Sequence, residues 1–189
     1  MDLKHFGDSY DVVKKSLISW LGALGPWVGH PMFTRDVKPE EAYMFSQFLG
    51  VPLISRPPLR KESDRDSYFA ICHEVGHLFM DPDTRLKLGS SKGPQPQKYL
   101  FGDELIRLAS IRPQFLTLIF DQCISRSKDV RDQIRQKLEY LADRNLIGFA
   151  YTSHACFIAV GRDRSIVKIA RDTLLRNSRL PGDRIRPLI

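Results

Sequence analysis

The sequence alternates short apolar runs with amphipathic helical segments, and this alternation limits the possible folds more than any other feature. The clearest unit is a helix that Asp103 caps and Pro113 ends, followed by the apolar run 115–120. A helix predicted over residues 127–144 then leads into the apolar run 147–152. Parallel neighbouring strands need crossover helices of this kind, so the alternation predicts an α/β fold with a mostly parallel sheet.

The first third of the chain continues the same layout. Apolar residues at helical spacing predict helices over residues 9–24 and 39–49, and the second of these starts with a proline and ends before a glycine. Short apolar runs next to glycine or proline predict strands over residues 27–33 and 51–55. These elements extend the alternation to the start of the chain.

The C-terminal quarter predicts a strand hairpin followed by a helix. The apolar runs 147–152 and 155–160 are separated by only two residues, which favours antiparallel pairing. A last helix follows, with Ile166 and Leu174 on its apolar side. The length of 189 residues and the hydrophobic content of 42% fit a single α/β domain over residues 1–189. We therefore expect a Rossmann-like three-layer fold with a C-terminal strand hairpin and a basic helix.

Positive charge is concentrated in the second half of the chain. The formal net charge is +7, and residues 101–189 carry 16 basic and 10 acidic side chains, which accounts for +6 of that total. Arg164, Lys168 and Arg171 align on one face of the predicted last helix. Such a face is typical of a phosphate-contacting surface, and it is also compatible with an ordinary solvated helix. The charge favours nucleic acid as the partner.

The sequence contains no pattern for membrane insertion or secretion. No apolar run approaches the roughly 18 residues that a membrane helix needs, and the first residues lack a signal-peptide pattern. The three cysteines, Cys72, Cys123 and Cys156, form no C-x-x-C pair. We therefore expect a cytoplasmic protein with reduced thiols and no membrane partner.

One interpretation places acidic side chains at the ends of strands. A short helix over residues 67–74 precedes a strand over residues 77–81, so that Asp81 and Asp83 follow one strand and Asp121 follows the next. The carboxyl ends of parallel strands line the ligand crevice of an open sheet. The three carboxylates are then candidate catalytic residues that bind Mg²⁺ to orient a water molecule. The same residue types are also common in turns and helix caps.

A second interpretation treats the same segment as one helix. Residues 73–77 match the motif H-E-x-x-H, in which two imidazoles on one helix face bind Zn²⁺ and the glutamate activates a metal-bound water. Glu104 is the candidate third ligand on a downstream helix. The local sequence resembles that of gluzincin-like metallopeptidases. This resemblance implies peptide hydrolysis, with His73 and His77 as zinc ligands and Glu74 as the general base.

Two further resemblances concern the start of the chain and the turn after residue 80. Residues 5–15, followed by a strand, resemble the opening of bacterial ribosomal-RNA adenine methyltransferases, and Asp81-Pro82 resembles the Asp-Pro-Pro-Tyr turn of amino-methyltransferases. This resemblance implies S-adenosylmethionine as cofactor and a contact of Asp81 with the target amine. The chain also resembles uncharacterised bacterial proteins with a strand ending in Leu-Asp-Pro-Asp-Thr-Gly-Leu, where Arg85 replaces the glycine. That resemblance covers nearly the whole chain and implies no activity.

Basic charge and strand-end carboxylates together favour a nucleic-acid-associated α/β protein, either methyltransferase-like or dependent on Mg²⁺ to process nucleic acid. A zinc metallopeptidase is the alternative if residues 67–84 form one helix. A third class, a non-enzymatic interaction or regulatory module, requires no cofactor. The conformation of residues 67–84 therefore separates the zinc hypothesis from the other two.

Overall fold

The structure is a computed structural model that describes Leu3 and residues 6–54, 57–73, 76–89, 93–122 and 129–185. The helices in these residues are α1 (Ser9–Leu21), α2 (Pro39–Leu49), α3 (Arg65–Ala70), α4 (Gly102–Ile111), α5 (Val130–Ala142) and α6 (Arg164–Ser178). The strands are β1 (Trp27–His30), β2 (His77–Met80), β3 (Arg85–Lys87), β4 (Tyr99–Phe101), β5 (Thr117–Asp121), β6 (Ile147–Thr152) and β7 (Cys156–Gly161). The chain is therefore a mixed α/β protein.

Five strands form one sheet in the order β1-β2-β5-β7-β6, and β3 pairs with β4 in a small parallel sheet. Strands β1, β2 and β5 are parallel, whereas β7 runs antiparallel to both of its neighbours. Strands β1, β2, β5 and β6 therefore run in one direction. Their C-terminal ends lie at the same edge of the sheet, which we call the carboxyl edge. The hairpin of β6 and β7 confirms the pairing predicted from the sequence.

Helices cover both faces of this sheet. The core on one face joins Leu17 of α1, Phe45 of α2 and Leu174 of α6 to strand residues such as Phe79. The core on the other face joins α3, α4 and α5 to strand residues such as Leu78. Consecutive strand residues point to opposite faces, which is why Leu78 and Phe79 belong to different cores. The sheet is thus the middle of three layers.

Polar side chains and glycine fix the ends of several helices. Asp8 accepts a hydrogen bond from the N–H group of Tyr10 at the start of α1, and Asp163 accepts one from Ser165 at the start of α6. These bonds satisfy N–H groups that have no partner within the helix. Helix α2 ends at Gly50, whose φ of 76° suits glycine. The local sequence therefore determines where these helices begin and end.

The first strand is shorter than the predicted strand over residues 27–33. It ends at His30, because Pro31 has no N–H group for sheet pairing and Met32 adopts a φ of 46°. Strand β1 is also at the edge of the sheet, and each step from β1 through β2 to β5 moves in the same direction across it. Strands β1, β2 and β5 therefore do not form among themselves the reversal of strand order that creates the crevice of a doubly wound sheet.

The structure also differs from the sequence prediction at short strands. Within the predicted strand 51–55, the described residues make a single bridge, between Gly29 and Leu53. Strands β3 and β4 are not predicted, because three-residue strands are too short to show a periodic pattern. Their pairing depends on contacts between residues that are distant in the sequence.

Two further observations concern the cysteines and the helices. Cys72 and Cys156 are buried and have free thiols, whereas Cys123 lies outside the described residues. Among the helices given above, none combines the length and the apolar character that crossing a membrane requires.

Candidate site at the carboxyl edge

Three buried charged side chains meet at the carboxyl edge between α1 and β2. The Nζ atom of Lys14 donates hydrogen bonds to Asp11 Oδ1 and to Asp81 Oδ2, each over 2.9 Å. Asp81 follows the last residue of β2, and its N–H group donates to the carbonyl oxygen of His30 over 3.0 Å. All three charged residues are at least 96% buried. We call this cluster the Asp11–Lys14–Asp81 triad.

The start of α1 positions two members of the triad. Asp11 and Lys14 are three residues apart and therefore lie on the same side of the helix. The N–H group of Gly7 donates to Asp11 Oδ2 over 2.9 Å, which fixes the orientation of the carboxylate. The ammonium of Lys14 also lies 4.6 Å from the centre of the Phe120 ring, a cation–π contact. The triad therefore ties the first turn of α1 to the ends of β2 and β5.

The triad holds two carboxylates and one ammonium, and this imbalance shapes its protonation. Burial alone lowers the pKa of Lys14, but the attraction of Asp81 and of Asp11 outweighs burial and raises it, so Lys14 stays charged. Burial raises the pKa of Asp81, although the charge of Lys14 opposes this effect. Asp81 therefore takes up a proton at a higher pH than an ordinary aspartate does. Chemically, it is a buried proton acceptor next to a fixed positive charge.

The other two predicted carboxylates do not join the triad. Asp121, at the end of β5, is fully buried and accepts a hydrogen bond from Lys137 of α5. Since α1 and α5 cover opposite faces of the sheet, Asp81 and Asp121 point to opposite sides. Asp83 is half-buried, and its Oδ2 atom lies 3.7 Å from Lys98 Nζ. The predicted crevice of three converging carboxylates is therefore not what the structure shows.

These residues do not fit a Mg²⁺ site in this arrangement. Mg²⁺ requires several oxygen ligands around one point, but Asp81 and Asp121 each face an ammonium and lie on opposite faces. In the part of the chain that the structure describes, no group of three or more His, Cys, Asp or Glu side chains is placed to hold a metal ion.

The residues after β1 do not fit S-adenosylmethionine either. Pro31, Met32 and Phe33 are buried, and they contain no glycine that would let a cofactor approach the backbone. His30 before them is fully buried, with its ring centre 5.0 Å from that of Tyr68. The end of β1 is therefore closed by side chains.

The structure contradicts the helical zinc interpretation. Helix α3 ends at Ala70, and His77 is the first residue of β2. The Nδ1 atom of His77 accepts a hydrogen bond from the N–H group of Leu116 over 3.0 Å, so its Nε2 atom carries the proton and donates to Leu24 O over 3.2 Å. Both ring nitrogens of His77 are thus engaged. Burial lowers the pKa of His77, which is consistent with a neutral ring that joins β2 to its neighbours.

The remaining residues of the zinc hypothesis also have other surroundings. His73 lies in the turn after α3 and is exposed, and Glu74 lies outside the described residues. Glu104 is buried at the start of α4, where it forms an ion pair with Arg65. Its Oε2 atom accepts a hydrogen bond from the N–H group of Phe101 over 2.9 Å. The described residues of this segment form the short helix α3 and the strand β2 rather than one helix, so they do not place His73 and His77 on one helix face.

His30 is a buried polar residue that the sequence analysis did not single out. Among the described residues, neither of its ring nitrogens has a hydrogen-bond partner. Burial lowers the pKa of His30 to about 3, so the ring is neutral near pH 7. Its edge contacts Tyr68 and its ring is tilted against Phe69. No local pattern distinguishes this residue, because its neighbours on the chain are typical of a strand end.

The predicted basic face of the last helix is present on α6. Arg164 and Lys168 are exposed, whereas Arg171 is half-buried and lies 3.6 Å from Asp172. Because β7 is antiparallel to β5, α6 starts at the edge opposite the carboxyl edge and runs back towards it. The chain after α6 reaches the carboxyl edge, where Ile185 forms a bridge with Tyr151.

Comparison with known proteins adds no functional assignment. No protein-family model matches the chain, and no curated protein is significantly similar to it. The functional argument therefore depends on the geometry described above.

Proposed function

We propose that this chain is a nucleic-acid-associated α/β protein that contacts phosphate groups with basic residues of α6. The observation that carries the proposal is the exposure of Arg164 and Lys168 on this helix. Neither residue forms an ion pair with a described residue. Exposed cations that are not held in an ion pair keep their charge available for an anionic partner. The Rossmann-like fold predicted from the sequence stays part of this proposal.

Three exposed arginines outside α6 are instead paired with carboxylates. The guanidinium groups of Arg60, Arg107 and Arg135 each lie within 2.9 Å of an aspartate carboxylate. Those ion pairs neutralise their charge locally, and surface pairs of this kind contribute little to stability. Arg164 and Lys168 therefore differ from these three arginines in ion pairing as well as in position. This contrast supports a binding role for α6.

The proposal is tested by measuring binding to labelled RNA and DNA with fluorescence anisotropy. Replacing Arg164 and Lys168 by alanine removes two exposed charges, and we expect the affinity to fall roughly tenfold. The matched control replaces Arg107 and Arg135 by alanine, which removes the same charge from arginines that are already paired. An equal loss of affinity in both double variants would show that only net charge matters. Absence of binding by the unmodified protein would refute the proposal.

A second candidate, an enzyme that acts on nucleic acid, is favoured by the Asp11–Lys14–Asp81 triad. Asp81 has a raised pKa and lies at the carboxyl edge of the sheet. We expect the Asp81→Asn variant to bind nucleic acid normally but to lose any cleavage or modification of it, as followed by gel electrophoresis and mass spectrometry. Binding without turnover in the unmodified protein would instead favour a non-enzymatic module.

A further inference from the structure

The small sheet of β3 and β4 has one buried side and one outward side. Leu86 of β3 and Leu100 of β4 are fully buried in the core beneath it. The register pairs Arg85 with Tyr99, and both point away from that core, as does Lys87. We call the surface formed by Arg85, Lys87 and Tyr99 the β3–β4 face.

This face adjoins the carboxyl edge of the main sheet. Strand β3 begins four residues after Asp81. The N–H group of Gln122, next to the end of β5, donates to the carbonyl oxygen of Thr84 over 3.1 Å. These connections hold β3 above the ends of β2 and β5. The β3–β4 face therefore lies next to the carboxyl edge, and the small sheet packs on the core of the α3, α4 and α5 side.

Lys87 lies near two aromatic rings, that of the half-buried Tyr99 and that of the fully buried Phe101. The ammonium of Lys87 lies 5.3 Å from the ring centre of Tyr99 and 5.7 Å from that of Phe101. The two rings are 6.2 Å apart. The Cζ atom of Arg65 lies 5.0 Å from the ring centre of Phe101. The guanidinium group of Arg65 donates hydrogen bonds to Glu104 and to the carbonyl oxygen of Tyr99. Tyr99 is thus a partly exposed ring on a rigid support.

Ion pairs between described residues account for some of the charges around the face but not for that of Arg85. Arg65 is balanced by Glu104, and Lys98 lies 3.7 Å from Asp83. Arg85 forms no ion pair with any residue that the structure describes. A partly exposed aromatic ring next to cations is the combination that binds bases and phosphates of single strands together.

We propose that the β3–β4 face binds single-stranded nucleic acid, with the Tyr99 ring stacked against a base and Arg85 and Lys87 contacting phosphates. This inference rests on the proposed nucleic-acid function and adds the class of nucleic acid. A base in a duplex is already stacked between its neighbours, whereas an unpaired base is free to stack on an aromatic side chain. An acidic protein segment would form ion pairs with the cations, but it has no base that could stack on the Tyr99 ring.

The test compares a labelled single-stranded pyrimidine oligonucleotide with the corresponding duplex by anisotropy. Tyr99→Ala removes the ring, and we expect roughly tenfold weaker binding of the single strand with little change for the duplex. Tyr99→Phe keeps the ring and should retain the affinity. Tyr43→Ala is the matched control, because Tyr43 is 65% exposed on α2, outside the β3–β4 face. Thermal unfolding of each variant shows whether it is folded.

Charge contributions are separated with the Arg85→Gln and Lys87→Gln variants. Each variant should make the salt dependence of single-strand binding shallower, by the amount expected for about one phosphate contact or less.

The inference is overturned if the Tyr99→Ala variant binds the single strand as tightly as the Tyr43→Ala variant does. It is also overturned if Tyr99→Ala weakens binding of the duplex as much as binding of the single strand. In that case an effect of the α6 variants would still support the proposed function. If the unmodified protein binds neither nucleic acid, both proposals fail.

Discussion

Asp81 and Asp121 occupy equivalent places at the ends of neighbouring strands, yet their surroundings differ. Asp121 faces Lys137 on the α5 side of the sheet. Asp81 faces Lys14 on the α1 side, and it shares that ammonium with Asp11. Two carboxylates share the ammonium of Lys14, whereas the described ion pair of Asp121 is with the ammonium of Lys137. The comparison teaches that two strand-end aspartates of one sheet can have different charged neighbours, and that burial acts together with those neighbours on the pKa of Asp81.

The largest effect is expected when Lys14 is removed. The Lys14→Met variant leaves two buried carboxylates without their shared ammonium, and we expect the free energy of unfolding to fall by about 5 kcal/mol. The adjacent Lys15→Met variant is the matched control, because Lys15 is exposed on the same helix. Chemical denaturation measures the free energy of unfolding of both variants. Equal stability of the two variants would show that the triad does not support the fold.

The next effect concerns His30 and pH. Its pKa is about 3 in the folded protein and near 6.5 in the unfolded chain, so the unfolded chain binds more protons between these values. Stability that is present at pH 7 is therefore lost as the pH falls through this window, by about 4 kcal/mol at pH 3.

The control for this pH effect is a variant without the imidazole. His30→Phe keeps an aromatic ring against Tyr68 and Phe69 but cannot be protonated. Denaturation curves measured from pH 7 to pH 4 should show a shallower loss of stability for the variant than for the unmodified protein. Parallel curves would mean that His30 is not the group responsible.

A direct test of the comparison exchanges each strand-end carboxylate for an amide. Asp121→Asn removes the carboxylate that faces the buried Lys137, and we expect a loss of about 3 kcal/mol in the free energy of unfolding. Asp81→Asn leaves Lys14 paired with Asp11, so its cost should be below about 1 kcal/mol. Chemical denaturation of the two variants side by side decides the matter. A greater loss of stability for Asp81→Asn than for Asp121→Asn would show that Asp11 alone does not suffice as the partner of Lys14.

The sequence predicts much of the secondary structure because apolar spacing and capping residues are local signals. The helix that ends at Gly50, the hairpin of β6 and β7 and the strand that precedes Asp81 follow from such signals. The face on which a strand-end aspartate lies is harder to predict, because it depends on where the strand begins within the sheet. Asp81 and Asp121 are on opposite faces for this reason.

Part of the triad could have been found from the sequence. Asp11 and Lys14 fall on the same helical stripe as the apolar residues Leu17, Ile18 and Leu21, which indicates charged side chains that face inwards. Their partner Asp81 lies 67 positions from Lys14, and no local pattern connects the two. The β3–β4 face is hidden in the same way, since it depends on the pairing of two short strands that are distant in the sequence.

The measurement that tests the proposed function most directly is the salt dependence of nucleic-acid binding. A plot of the logarithm of the affinity against the logarithm of the salt concentration should be linear with a negative slope for the unmodified protein. When Arg164 and Lys168 are replaced by alanine, the slope should become shallower by the amount expected for about two lost phosphate contacts. The slope should not change when Arg107 and Arg135 are replaced by alanine. An unchanged slope in the α6 variant would contradict the account, because phosphate contacts would then lie elsewhere.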